Sequence, residues 1–149
     1  MKRYVAFVVL ILVILSLFSC ERNEDPYNLL SEFLGIYDAK GIVYSPTISE
    51  GDEGYIPEGF VEKLYVFYGK FPENFALFLN SHPSYSYECG VFDCQSSDEV
   101  RKVEEACLER IRLLSASDRS FIIIKDNIVF YSTLKDRERA EKIWREIIR

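Results

Sequence analysis

The chain has 149 residues, enough for one domain of ordinary size, with 18 Lys and Arg against 24 Asp and Glu and a formal charge of −6. With 48% hydrophobic and 15% aromatic residues it is too apolar for intrinsic disorder. The acidic balance excludes the clustered Lys and Arg of a nucleic-acid-binding domain, and one histidine, His82, leaves little room for His-based metal or general-base chemistry.

Met1-Lys2-Arg3 is a short basic start, followed from Tyr4 to Phe18 by fifteen residues with one Ser and no charge. About 20 apolar residues are needed to span a membrane, so this stretch is short for a permanent anchor and fits a secretory signal over residues 1–19. Leu17-Phe18-Ser19-Cys20 then precedes the polar run ERNEDP and resembles the lipobox of bacterial lipoproteins. That resemblance implies diacylglyceryl transfer to the Cys20 thiol, with acyl chains such as palmitate, and cleavage between Ser19 and Cys20. The mature protein is then expected on the extracytoplasmic face of the cell membrane, held by its N-terminal lipid.

Without Lys2 and Arg3, 16 basic and 24 acidic residues remain, a net −8. Residues 21–62 hold ten acids against Arg22 and Lys40, whereas residues 63–149 hold fourteen of each sign. The contrast predicts an acidic membrane-proximal segment over 20–59, extended by repulsion from an anionic surface, and a packed domain over 60–149. Within the first part, Asp25-Pro26 is a helix start, and Leu29, Leu30, Phe33, Leu34 and Tyr37 predict an amphipathic helix over 26–37. With no Lys or Arg on its polar face, that helix is expected to dock on the domain rather than on lipid. Gly41 to Tyr44 reads as a short strand ended by Ser45-Pro46, and the acidic stretch through Gly59 as a solvated loop. Glu50, Asp52 and Glu53 lack the ligand spacing of an EF-hand.

Phe60, Leu64, Phe67 and Tyr68 predict a helix closed by Gly69, with a strand competing for the aromatic, β-branched run LYVFY. Residues 75–79 and 87–94 read as antiparallel strands. Ser97 is the expected N-cap of a helix whose stripe is Val100, Val103, Cys107, Ile111 and Leu114. Residues 121–125 and 128–133 flank Asp126-Asn127, the signature of a type I′ hairpin. Asp136 caps a last helix that turns Ala140, Ile143, Trp144 and Ile147 inward. The fold class is α+β, a small antiparallel sheet covered by helices in the order (α)-β-β-α-β-β-α.

The stretches ECGVFDCQSSDEVRKVEEACLERIRLL, FIIIKDNIVFYST and DRERAEKIWREII resemble the lipoprotein domain of unknown function numbered 4358, found mainly in clostridial and related Firmicutes. Its pattern is a Glu before an apolar strand ending in Phe, here Glu88 and Phe92, then a charged helix, a hairpin and an acid-led helix. The resemblance covers roughly residues 60–149 and the signal. It implies an envelope location and this fold, and places no activity on any residue.

After Cys20 is acylated, three cysteines remain. Cys89 and Cys94, five apart on one strand, face opposite ways about 16 Å apart and cannot pair directly. Cys107 on the helix stripe is placed to meet whichever strand cysteine faces it, so the readings are free buried thiols or a Cys94–Cys107 disulfide. A three-cysteine zinc site lacks a fourth ligand, and neither a metal nor another cofactor is expected. His82 stands in the turn Ser81-His82-Pro83-Ser84; a dyad would need Cys89 or Ser84 beside it. Asp98, Glu99, Glu104 and Glu105 interleave with Arg101, Lys102, Arg110 and Arg112 as a solvated helix face. No nucleotide-binding glycine loop, G-x-S-x-G or H-E-x-x-H occurs. The leading expectation is a non-enzymatic binding or accessory module of the envelope. The rival is a hydrolase-like envelope enzyme using Cys89 or His82.

Overall fold

The computed structural model describes residues 25–80 and 87–149. Cys20, Ser19, His82 and Ser84 lie outside them. The described residues form nine elements in chain order: α1 (Pro26–Tyr37), β1 (Ile42–Tyr44), α2 (Phe60–Leu64), β2 (Asn74–Leu79), β3 (Glu88–Asp93), α3 (Ser97–Leu113), β4 (Phe121–Lys125), β5 (Ile128–Ser132) and α4 (Arg137–Ile147). The strands form one antiparallel sheet in the order β1-β2-β3-β5-β4. This is the expected α+β class, with β1 and α2 added to the expected order. Because β3 and β4 are each antiparallel to β5, they run parallel to one another, and α3 makes the crossover between them.

Helices cover both faces of the sheet. Ala76, Phe78, Cys89, Val91, Phe121 and Phe130 point to one face, where Leu30 and Phe33 of α1 and Trp144 of α4 close the core. Phe75, Leu77, Phe92, Val129 and Tyr131 point to the other, under Val103, Ala106, Cys107 and Ile111 of α3. The period-two alternation of side chains builds both cores from the same strands. Burial on two faces makes β2 (NFALFL) and β3 (ECGVFD) nearly continuous apolar runs.

Asp25 caps α1, its carboxylate accepting from the Tyr27 amide at 3.3 Å. The stripe Leu29, Leu30, Phe33 and Leu34 is buried in the core, and β1 pairs with β2 from Ile42 to Tyr44. At the far end of α1 the Asp136 amide donates to the Tyr37 hydroxyl at 3.0 Å, tying α1 to the start of α4. The packed unit therefore takes in residues 26–44, which charge distribution alone assigns to the membrane-proximal segment. The loop after β1 is folded on itself: Ser45 N–H donates to the Gly54 carbonyl at 3.2 Å, and Glu50, Asp52 and Glu53 stay exposed.

Three local expectations are corrected. The helix N-cap is Ser96 rather than Ser97, its Oγ accepting from the Glu99 amide at 3.2 Å; Ser96 is the serine with an acid three residues on. The hairpin turn is not type I′, which needs positive φ at both central residues: Asp126 has φ +52° and Asn127 does not share it. The predicted helix to Gly69 stops at Leu64. Tyr65 is extended, at φ −122° and ψ 137°, which sends its ring into the buried aromatic cluster under α3.

Trp144, the only tryptophan, is fully buried and stacks on Phe130 with ring centroids 3.9 Å apart, while Phe33 meets it edge-on at 6.0 Å. Trp144→Ala should cost about 3–5 kcal/mol in urea unfolding, a large share of a domain's usual stability. Lys142→Ala, on the exposed side of the same helix, should leave the midpoint nearly unmoved.

Candidate functional site

Glu88 opens β3 and is only 5% exposed. A carboxylate in that position needs partners, because an unpaired buried charge is far costlier than a paired one. Arg110 of α3 supplies a two-pronged contact, donating from Nε to Glu88 Oε2 at 2.8 Å and from its terminal nitrogen to Oε1. Tyr131 of β5 donates its hydroxyl to Glu88 Oε2 at 3.3 Å, and the Tyr65 hydroxyl lies 2.5 Å from that of Tyr131. A phenol has one proton, and Tyr131 gives its own to Glu88, so Tyr65 donates to Tyr131. The result is a directed chain, Tyr65 to Tyr131 to Glu88, met from the other side by Arg110.

Burial pushes both tyrosine hydroxyls well above their usual range, so they remain protonated donors. Burial alone pulls Arg110 down; the hydrogen bonds and charge of Glu88 outweigh it, and the net shift is upward. The Glu88 backbone is also fixed: its N–H donates to Thr133 Oγ1 at 2.8 Å, and the Thr133 N–H donates to its carbonyl at 2.8 Å. Gly90, directly across from Tyr131, makes room for the ring, since a Cβ there would fall 2.5 Å from Tyr131 Cε1.

Beside this chain lies an open cleft of about 350 Å³ between the loop after β1, α2 and the start of β2. Ile48, Ile56, Pro57, Phe60, Phe71 and Phe75 give it an apolar lining, and among the described residues Glu58 and Glu62 are its charged residues and no Lys or Arg lines it. Phe71 is the shared wall, its ring centroid 5.1 Å from Phe75, 5.6 Å from Tyr65 and 5.8 Å from Phe92. The polar chain thus stands behind the cleft and holds its aromatic wall. Among the described residues no buried side-chain nitrogen or oxygen lacks a hydrogen-bond partner, so the chain's groups are engaged with one another.

The charged face of α3 is partly as expected: Asp98, Arg101, Lys102, Glu105, Glu109 and Arg112 form exposed pairs along the helix. Arg110 departs from it, with its side chain 15% exposed and turned onto Glu88. Its place three residues after Cys107 and one before Ile111, at the border of the apolar stripe, was the available signal. The lone acid at the head of the apolar strand was the other.

The three cysteines among the described residues, Cys89, Cys94 and Cys107, are buried and free. Cys89 belongs to the core under α1 and α4, while Cys94 and Cys107 share the core under α3, so strand alternation separates Cys89 from the other two. The Cys94–Cys107 bridge is not formed here, although the two thiols fall in one cluster. Burial pushes the Cys89 and Cys94 thiols up to about 12 and Cys107 well above its usual value. No cluster of His, Cys, Asp and Glu among the described residues is placed to hold a metal ion.

No family model, curated protein or solved structure matches the chain.

With all three thiols buried and held protonated, native protein at pH 8 should react negligibly with a thiol reagent over minutes, and a chain beginning at Glu21 should release three equivalents once unfolded. One equivalent after unfolding, rising to three with reductant, would mean that Cys94 and Cys107 are bridged.

Proposed function

We propose that this protein is a lipid-anchored binding or accessory module of the cell envelope, tethered through Cys20 on the extracytoplasmic face, and that its cleft receives a cationic segment bearing apolar side chains. The cleft carries this reading: an apolar, aromatic and proline lining with acids alone among its charged residues. Glu50, Asp52 and Glu53 in the adjoining loop add negative charge, which favours encounter with a basic partner. The signal-like residues 1–20 support the address. Asp25 is five residues past Cys20, and an extended chain spans at most about 3.6 Å per residue, so anchor and domain lie within roughly 18 Å. Such a module works close against the membrane.

The hydrolase reading draws no support from Cys89, whose thiol is buried, donates to Ser132 Oγ at 3.5 Å and is held protonated. A nucleophilic cysteine needs an accessible thiolate.

Cys20→Ala should leave a precursor whose intact mass retains residues 1–19 and which takes up no labelled palmitate. A variant with the same mass and the same label as the wild type would refute the anchor. For the cleft, calorimetric titration with a blocked Lys-Phe-Lys-Phe-Lys peptide should show binding that weakens with salt. Glu58→Lys with Glu62→Lys should lower that affinity by about tenfold, a change of ~1.4 kcal/mol. Equal binding of a Glu-Phe-Glu-Phe-Glu peptide, or none of either, would overturn the assignment.

A further inference from the structure

The two edges of the sheet differ. β1 is three residues long and is followed at once by Ser45-Pro46, the short, interrupted edge by which proteins discourage strand addition. β4 has none of these guards. Its five residues, Phe121-Ile122-Ile123-Ile124-Lys125, pair one-to-one with β5 without a bulge, include no Gly or Pro, and carry a single charge at the very end. No strand among the described residues pairs with its outer side. Every second residue of such a strand points its backbone N–H and C=O away from its neighbour, ready to accept another strand. Side chains on both faces are partly open: Ile122 and Ile123, which belong to opposite cores, are half-buried, and Ile124 is 40% exposed. Leu108, on the helix that covers the Ile122 side, is 54% exposed as well.

We propose that β4 is the seam of a symmetric homodimer, in which two copies of this chain pair antiparallel through β4 and join their sheets into one of ten strands. The strand is self-complementary. A two-fold axis through Ile123 keeps all five residues paired, sets Ile122 against Ile124 of the second copy twice over, and lays each Lys125 beside a Phe121. The two Lys125 side chains then stand four positions apart along the seam, roughly 14 Å, beyond the ~8 Å screening length of physiological salt. Shifting the axis to Ile124 brings the lysines within about 7 Å, and shifting it to Ile122 leaves three pairs. The centred register therefore keeps the most residues paired while holding the two lysines beyond the screening length.

Across that axis Ile123 meets its own copy with Cα atoms about 4.5–5.5 Å apart, inside the 4.4–6.8 Å that a disulfide takes. The full-length chain carrying Ile123→Cys, oxidised in intact cells with copper-phenanthroline, should yield a disulfide-linked species of twice the monomer mass, while the wild type and Lys142→Cys should not. Adding Ile124→Lys should abolish the cross-link with the far-ultraviolet circular dichroism unchanged. Independently of any introduced cysteine, the purified full-length chain should sediment as a dimer and Ile124→Lys as a monomer. Monomeric wild-type protein would overturn the proposal. So would a folded Ile123→Cys protein that cross-links no better than Lys142→Cys, or one that cross-links to a different protein.

Discussion

The paired carboxylate of Glu88 is the constraint around which the rest of the molecule is arranged. An acid at the head of a strand buried on both faces must be neutralised where it stands, and the chain draws its partners from three other places: Arg110 on α3, Tyr131 on β5 and, through Tyr131, Tyr65 beyond α2. Each partner fixes an element. Arg110 sets the rotation of α3 over the sheet, Tyr131 crosses over Gly90, and Tyr65 leaves helical geometry for an extended backbone to reach it. The aromatic wall formed by Phe71 and Phe75, with the buried Phe92 behind it, is assembled against that chain, so the cleft inherits its shape from a polar contact buried behind it. A buried ion pair is poor evidence for net stability but can specify one arrangement among several apolar alternatives. That is its role in this account.

The two faces divide the labour. The face under α1 and α4 is apolar packing around Phe33, Phe130 and Trp144, with Cys89 as a small buried side chain. The face under α3 holds the ionic chain, the Cys94 and Cys107 thiols and the route to the cleft. Because α1 belongs to the first core, five residue steps separate Cys20 from the domain at Asp25, and the proposed anchor leaves the cleft little freedom to reach away from the membrane.

Much of this was legible in the residues because the signals were local. The spacing of Leu29, Leu30, Phe33 and Leu34 placed α1 over 26–37, and Asp136 as a cap with Trp144 facing inward describes α4 as found. What escaped was set by tertiary partners. Arg110 reads like its neighbours Arg101 and Arg112 until Glu88 is seen beneath it, and the end of α2 depends on a tyrosine hydroxyl 66 residues further along the chain. The charge contrast between residues 21–62 and 63–149 is real, but α1 buries its apolar side while Glu32 and Asp38 remain exposed. Net charge therefore could not reveal that residues 26–44 join the core.

The central claim, that the Glu88–Arg110 pair acts as one unit on which the α3 face depends, is tested most directly by a double-mutant cycle in urea unfolding with Glu88→Leu, Arg110→Met and their combination. Each single change leaves a buried charge without its partner and should cost about 3–5 kcal/mol, while the double variant, with neither charge, should regain most of that loss. Single changes that cost little, or costs that simply add in the double variant, would contradict the account.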